Sequence, residues 1–183
     1  MTIKPGTYQL GPADGTLQVR TGRQGMASKV GHDLTLEASN WRATVTVDAD
    51  AGQSQVQATV EPRSLEVVAA TGGAKPVSDK DKRDIVKNIA GLLGNGSITF
   101  QSTQVMVRND TTVAVAGNLS IAGQSRQVTL DLQLTPDGGA ARLRGRVPIV
   151  QSSFGVRPFT AMMGALKVKD EVEVDLDVRL PTG

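Results

Sequence analysis

Histidine occurs once in the chain, at position 32, and Asp33 follows it. With a serine these would be the residue types of an acyl-transfer triad. Neighbours in an extended strand point to opposite faces, however, and no G-x-S-x-G elbow accompanies the pair, so a triad hydrolase is disfavoured. A metal centre needs three or four converging ligands, and one histidine with no cysteine is a poor start. What remains for His32 follows from its alternation with Leu34 and Leu36, which puts it on an apolar face. There an imidazole either hydrogen-bonds the polar end of a ligand or is a core histidine satisfied by a backbone carbonyl or a neighbouring hydroxyl.

Three further segments could carry chemistry. The run Arg20-Thr-Gly-Arg-Gln-Gly-Met-Ala-Ser-Lys29 is glycine-rich with three cations, but it lacks the GxxxxGK[ST] spacing of a phosphate loop and does not lead into a helix. At a barrel mouth Arg23 and Lys29 are candidates for a polar head group; otherwise the run is a solvated connection. The segment Phe154 to Leu166 holds two of the five aromatics, Phe154 and Phe159, and two of the five methionines, Met162 and Met163. It reads as an adaptable apolar portal, a hydrophobic plug or a dimer contact. Arg142, Arg144 and Arg146 alternate, as do the acids from Glu171 to Asp177. On adjacent strands these would form a cross-strand charge ladder that sets register.

Strands must position these residues, because period-two alternation is the dominant pattern. It places Val128, Leu130, Leu132 and Leu134 on one face of 126–134, Leu143, Val147 and Ile149 on one face of 141–149, and Val172, Val174, Leu176, Val178 and Leu180 on one face of 170–180. Shorter alternations occupy 15–21, 32–38, 41–48 (Val45, Val47), 54–60, 97–107 (Phe100) and 111–121 (Val113, Val115). One wet and one dry face is the antiparallel pattern. Pro12–Gly15, Asp48–Gly52, Arg108–Asp110, Ala122–Gln124 and Pro136–Gly139 read as hairpin turns in an up-and-down order. One segment differs. From Ser78, a cap serine with Asp79 and Asp81 in the first turn, Ile85, Ile89 and Leu92 or Leu93 recur at helical spacing until Gly94 or Asn95-Gly96. Its apolar face should lie on the sheet.

Composition narrows the classes. The 183 residues suit one domain, 1–183. Twenty Lys and Arg against eighteen Asp and Glu leave +2, with no clustered basic stripe bearing aromatic platforms, so nucleic acid is not an expected partner. The absence of cysteine excludes disulfide scaffolds, cysteine nucleophiles and thiolate metal sites. No run approaches the roughly 18 apolar residues of a spanning helix, so stable membrane insertion is not expected. The start, Met1 to Tyr8, lacks the apolar core of a secretory signal, which makes a cytoplasmic location the expectation. An outer-membrane barrel would need aromatic girdles that five aromatics cannot supply. Nine or so strands plus a helix make a sandwich or a barrel. A barrel of about eight strands either fills itself or holds one small ligand, and few large side chains are present to fill it.

Several local patterns together resemble the YceI-like proteins, a family of lipocalin-like barrels. Ser28-Lys-Val-Gly-His-Asp-Leu34, with the strand starting at Trp41, is similar to the family's first hairpin, and Ser64-Leu65 followed by Val67 to its serine-leucine strand. Asp79 to Ile85 is similar to its charged helix start, where the family's arginine-aspartate-x-histidine form is here Arg83-Asp-Ile-Val86. Gly117-Asn-Leu-Ser-Ile121, Gly123 and Val128-Thr-Leu130 resemble its central hairpin, and Ser153-Phe-Gly-Val156 and Lys169 to Val174 its last loop and strand. The resemblance implies an all-β, extended antiparallel barrel with one amphipathic helix in a long connection. It also implies an interior that binds an isoprenoid or similar amphiphilic lipid, and dimers in some members. The expected function is noncatalytic binding, storage or transport of such a lipid, without a cofactor. On that reading His32, Leu34, Leu36, Val45, Phe100, Val115, Leu130, Leu143, Phe154, Phe159, Met162 and Met163 contact the ligand, and Arg23 and Lys29 its head. The alternative is a solid barrel or sandwich that serves as a self-association module, for instance in stress.

Overall fold

A computed structural model of the chain describes residues 3–181. The alternating segments are strands, in chain order β1 (Gly6–Leu10), β2 (Gly15–Arg20), β3 (Arg23–Gln24), β4 (His32–Ala38), β5 (Trp41–Val47), β6 (Gln55–Val60) and β7 (Leu65–Gly72). The helix α1 (Asp79–Leu93) follows. Then come β8 (Ile98–Asn109), β9 (Thr112–Ile121), β10 (Gln124–Asp137), β11 (Ala140–Val150), β12 (Thr160–Ala161), β13 (Leu166–Val168) and β14 (Glu171–Pro181).

Eleven strands form one antiparallel sheet in the order β1-β5-β6-β8-β9-β10-β11-β14-β2-β4-β7, and β12-β13-β3 form a small second sheet. The expected count of about eight is therefore too low. One reason is that β7 does not alternate: its pairing shifts so that Leu36 faces Val67 and Thr35 faces Ala69. The skipped residue, Val68, is exposed, which is a β-bulge hidden in a run of four small apolar residues. The other added main-sheet strand is β1, too short to show a period.

The order shows how the sheet closes. Ala38 ends β4, second from one edge, and Trp41 begins β5, second from the other; three Cα steps join them, at most about 11 Å. The sheet must roll up for its edges to come that close. Backbone bonds Ser39 N–H to Ser64 O (3.0 Å) and Glu61 N–H to Asn40 O (3.0 Å) tie the crossings together. Pro12–Gly15 is thus not a hairpin turn. Strand β1 pairs with β5, β2 pairs with β14 and β4, and the turn carries the chain across the seam. The hairpins expected at 108–110, 122–124 and 136–139 do form, linking β8 to β9, β9 to β10 and β10 to β11. At Ala122 (φ 50°) and Gly123 (φ 78°) both central residues are left-handed, the geometry that matches strand twist in a two-residue loop.

The helix begins as its sequence dictates. The Ser78 hydroxyl accepts from Asp81 N–H at 3.2 Å and the Asp81 carboxylate accepts from Ser78 N–H at 2.9 Å, a reciprocal capping box. Hydrogen bonds from the Ser78 side chain and backbone hold the Asp81 carboxyl below the usual carboxylate range. Gly94, at φ 77°, ends the helix. Ile85, Val86, Ile89 and Leu93 pack against a buried cluster that includes Leu10, Leu36, Trp41, Leu65 and Leu180.

On the outer face, β11 and β14 are neighbours, as the charge pattern requires. Arg142 holds Asp177 in a fork of 2.6 and 2.8 Å, Arg144 reaches the same carboxylate at 3.0 Å, and Arg146 lies 3.3 Å and Arg20 2.8 Å from Asp175. The Arg142 hydrogen bonds, with Arg144 adding to them, hold the Asp177 carboxyl below its ordinary value despite some burial. The helix is too short and polar to cross a membrane, and among the described residues none qualifies. A group of three or more metal-ligating side chains is likewise absent among the described residues.

Candidate functional site

The dry faces of the strands do not meet. They enclose a cavity of about 1060 Å³, at the upper end of the roughly 300–1000 Å³ typical of small-molecule pockets. The reason is compositional: an eleven-stranded roll is wide, and its inward positions are Val, Leu, Ile and Ala, with Phe100, Phe154, Phe159 and Trp41 the only aromatics on the wall. A solid interior, the premise of the alternative reading, is therefore overturned.

Of the residues expected to meet a ligand, His32, Leu34, Leu36, Val45, Phe100, Val115, Leu130, Leu143, Phe154 and Phe159 line this one cavity, and Arg23 joins them. Leu130 packs against two of the three apolar clusters and so stands midway. Lys29, Met162 and Met163 lie outside the lining: Lys29 is exposed, Met163 borders a separate surface pocket, and Met162 is exposed beside it. Sequence reasoning passed over the helix residues Ile85 and Ile89, which form part of the wall, and Trp41, whose ring lines it. The helical period of α1 held the signal, since its apolar stripe had to face something.

Apart from Asn88 on α1, polar residues enter the lining in two sets. Thr21, Arg23, His32, Gln151 and Lys167 form one; Asp48, Ser54, Asn109 and Asp110 form the other. Asp110 sits in the turn before β9, whereas Gly155, in the segment after β11, lies against Gln124 just after β9. Antiparallel strands put these turns at opposite ends of the barrel. The interior is an apolar tunnel with a basic end and an acidic end.

The basic end is built around Arg23 and His32. Arg23 Nη1 donates to Gly31 O (2.7 Å) and Thr71 O (3.0 Å), and Arg23 N–H donates to Asp33 Oδ1 at 2.8 Å. His32 Nε2 lies 2.7 Å from Lys75 O, which only accepts, so this nitrogen carries the proton. Gly72 and Gly73 (φ 77° and 75°) sit under these two side chains. A Cβ would come within 1.8 Å of the Arg23 guanidinium at Gly72 and 2.1 Å of the imidazole at Gly73. The connector entering α1 is thereby fastened to β4. The core-histidine reading holds as far as the carbonyl partner goes, yet the ring also faces the tunnel.

Beside it the small sheet carries an outward loop. Lys167 pairs with Gln24 and Thr160, and Ala27 N–H donates to Ala165 O at 2.9 Å, which locks 23–31 to 160–168. At the tip Met162 and Met163 are both left-handed (φ 51° and 56°), at a cost of roughly 1–2 kcal/mol each for non-glycine residues. Phe154 is buried against Val147, Ile149, Val156 and Val172, a plug on one side of this end. Phe159 and Val30 line the cavity while remaining partly exposed, so the tunnel opens between them.

Comparison with known proteins decides the family. The family model for the YceI-like domain matches residues 8–180. The chain belongs to the YceI-like family. Among solved structures it is similar to BcnA of Burkholderia cenocepacia, at 20% identity with a TM-score of 0.64, over 89% of this chain and 95% of that one. It is also similar to a Campylobacter jejuni YceI protein, at 14% identity with a TM-score of 0.56, over 79% and 82%. At such identities the likeness shows a shared fold. No curated protein matches its sequence. In this YceI-like chain the strand walls enclose the apolar tunnel described above.

Proposed function

We propose that this YceI-like protein binds an isoprenoid or similar amphiphilic lipid, without changing it chemically, for storage or transport. The observation that carries the reading is the apolar tunnel, whose charged lining residues lie at its two ends and whose wall between them is aliphatic and aromatic apart from Asn88. The apolar part of the ligand lies along the β-strand wall, and Arg23 and His32 face its polar end. Burial contributes about 0.8 kcal/mol per methylene, whereas association costs roughly 4–15 kcal/mol in lost freedom. A five-carbon chain would gain about 4 kcal/mol and escape; about twenty carbons would gain enough to be held. Family membership supports the same ligand class.

Trp41 is the chain's single tryptophan and lines the tunnel, so it reports filling directly. Titration with geranylgeraniol in detergent-free buffer should change its emission saturably, with one site per chain, while a five-carbon prenyl alcohol should leave it unchanged. No response to geranylgeraniol up to its solubility limit would overturn the reading.

A further inference from the structure

The strongest feature that ligand binding leaves unexplained is the surface around the basic end of the tunnel. Met163 is fully exposed (105%), Met26 nearly so (96%) and Met162 largely so (59%). They are not scattered. Met26 and Met163 border one surface pocket with Lys167, and hydrogen bonding between the two loops fixes them side by side. Phe159 and Val30 continue this apolar surface into the tunnel. Contiguous exposed apolar groups mark an interaction site, and here the backbone adopts left-handed geometry at two consecutive methionines that present them outward.

Charge identifies the occupant. At this end the segments 20–31 and 155–169 contain Arg20, Arg23, Lys29, Arg157, Lys167 and Lys169 and no acidic residue, with Asp33, Asp170 and Glu171 at their borders. The whole chain carries only +2, so the remaining residues carry a net −4. The asymmetry sits on one end of a molecule whose opposite tunnel mouth has Asp48 and Asp110. Arg20 and Arg23 are paired with Asp175 and Asp33, and Asp170 accepts from Ser152. Among the described residues, Lys29, Arg157, Lys167 and Lys169 have no carboxylate within ion-pair distance. Apolar anchors ringed by unpaired cations match a bilayer with anionic head groups: methionines enter the acyl boundary and the cations meet phosphates.

We propose that the Met26–Met162–Met163 end of the barrel docks on anionic lipid membranes, presenting the tunnel mouth to the bilayer. The role of docking in loading or unloading the tunnel rests on the lipid-binding reading; the docking itself does not.

Flotation of the full chain with phosphatidylcholine vesicles, alone or with equimolar phosphatidylglycerol, tests this. The chain should float with the anionic vesicles only. Arg157→Ala and Lys169→Ala should each lower its partition about fivefold, the equivalent of about 1 kcal/mol per basic residue at a surface. Met26→Asp should lower it about tenfold or more by removing a buried anchor. Salt near 1 M, where the screening length falls to about 3 Å, should release most of the protein. Geranylgeraniol titration without vesicles should be unaffected by Met26→Asp and Arg157→Ala, which separates failure of docking from failure of ligand binding. Absence of flotation, or flotation indifferent to phosphatidylglycerol and to these substitutions, would overturn the proposal. So would a doubled solution mass abolished by Met26→Asp without flotation, which would assign the surface to a second copy.

Discussion

His32 Nε2 stands 2.7 Å from the carbonyl oxygen of Lys75, a bond across 43 positions that fastens the tunnel wall to the connector entering helix α1. The histidine is therefore both a lining residue and a clasp. His32→Phe keeps a ring against Gly73 but removes the donor. A net hydrogen bond is worth about 1 kcal/mol, so amide exchange through 73–78 should accelerate about fivefold while the barrel strands stay protected. Unchanged exchange in that segment would show that the bond does not hold it.

Asp177 makes the acid side of stability predictable. Its folded pKa lies below the unfolded value of about 3.9, so its stabilisation is present above that pH and is lost as pH falls through the folded pKa. Asp177→Asn should lower the melting temperature by about 2–4 °C at pH 7, for a network worth about 1 kcal/mol. The gap from the parent chain should be full above about pH 4 and narrow progressively as the pH falls below it. A gap that stays constant from about pH 6 down to about pH 2 would contradict the linkage.

Gly117 is set by packing. A Cβ there would meet Gln101 O at 2.5 Å and the Phe100 ring at 2.5 Å, so the neighbouring strand backbone would have to move. Gly117→Val should cost about 1–3 kcal/mol as an overpacking change, seen as a fall of several degrees in melting temperature.

Leu130 offers the opposite case, an inward residue beside empty volume. Leu130→Trp should be tolerated with a stability change under about 1.5 kcal/mol, because the cavity receives the added ring. Geranylgeraniol binding should fall at least tenfold. A large loss of stability with binding intact would mean that the wall, not the void, occupies that position.

Much of this architecture is legible in the chain. The nine alternations are strands, Ser78 and Asp81 cap the helix together, and Arg142 and Arg144 meet the β14 carboxylates, because each signal is local or repeats along a strand. The few aromatics point to an unfilled interior for the same additive reason. Elements that depend on distant partners stay hidden. The Val68 bulge erases the alternation of β7, and the seam crossing at Pro12–Gly15 uses the same residues as a hairpin turn. The bond between His32 and Lys75 has no sequence period at all. The left-handed methionines carry no local signal, since glycine or asparagine is the usual occupant of such geometry. Lys29, Met162 and Met163 have the chemistry of ligand-facing residues, yet the backbone turns all three to the surface.

The central claim is that the tunnel holds one amphiphilic lipid, and native mass spectrometry of the chain purified without detergent tests it most directly. The parent protein should carry an adduct that organic extraction recovers as a single isoprenoid-type lipid or a narrow set of them, or should take up one geranylgeraniol per chain when it arrives empty. Leu130→Trp, equally folded, should lose that mass. A parent chain that carries no lipid and takes up none, or a Leu130→Trp variant that retains the adduct in full, would contradict the account.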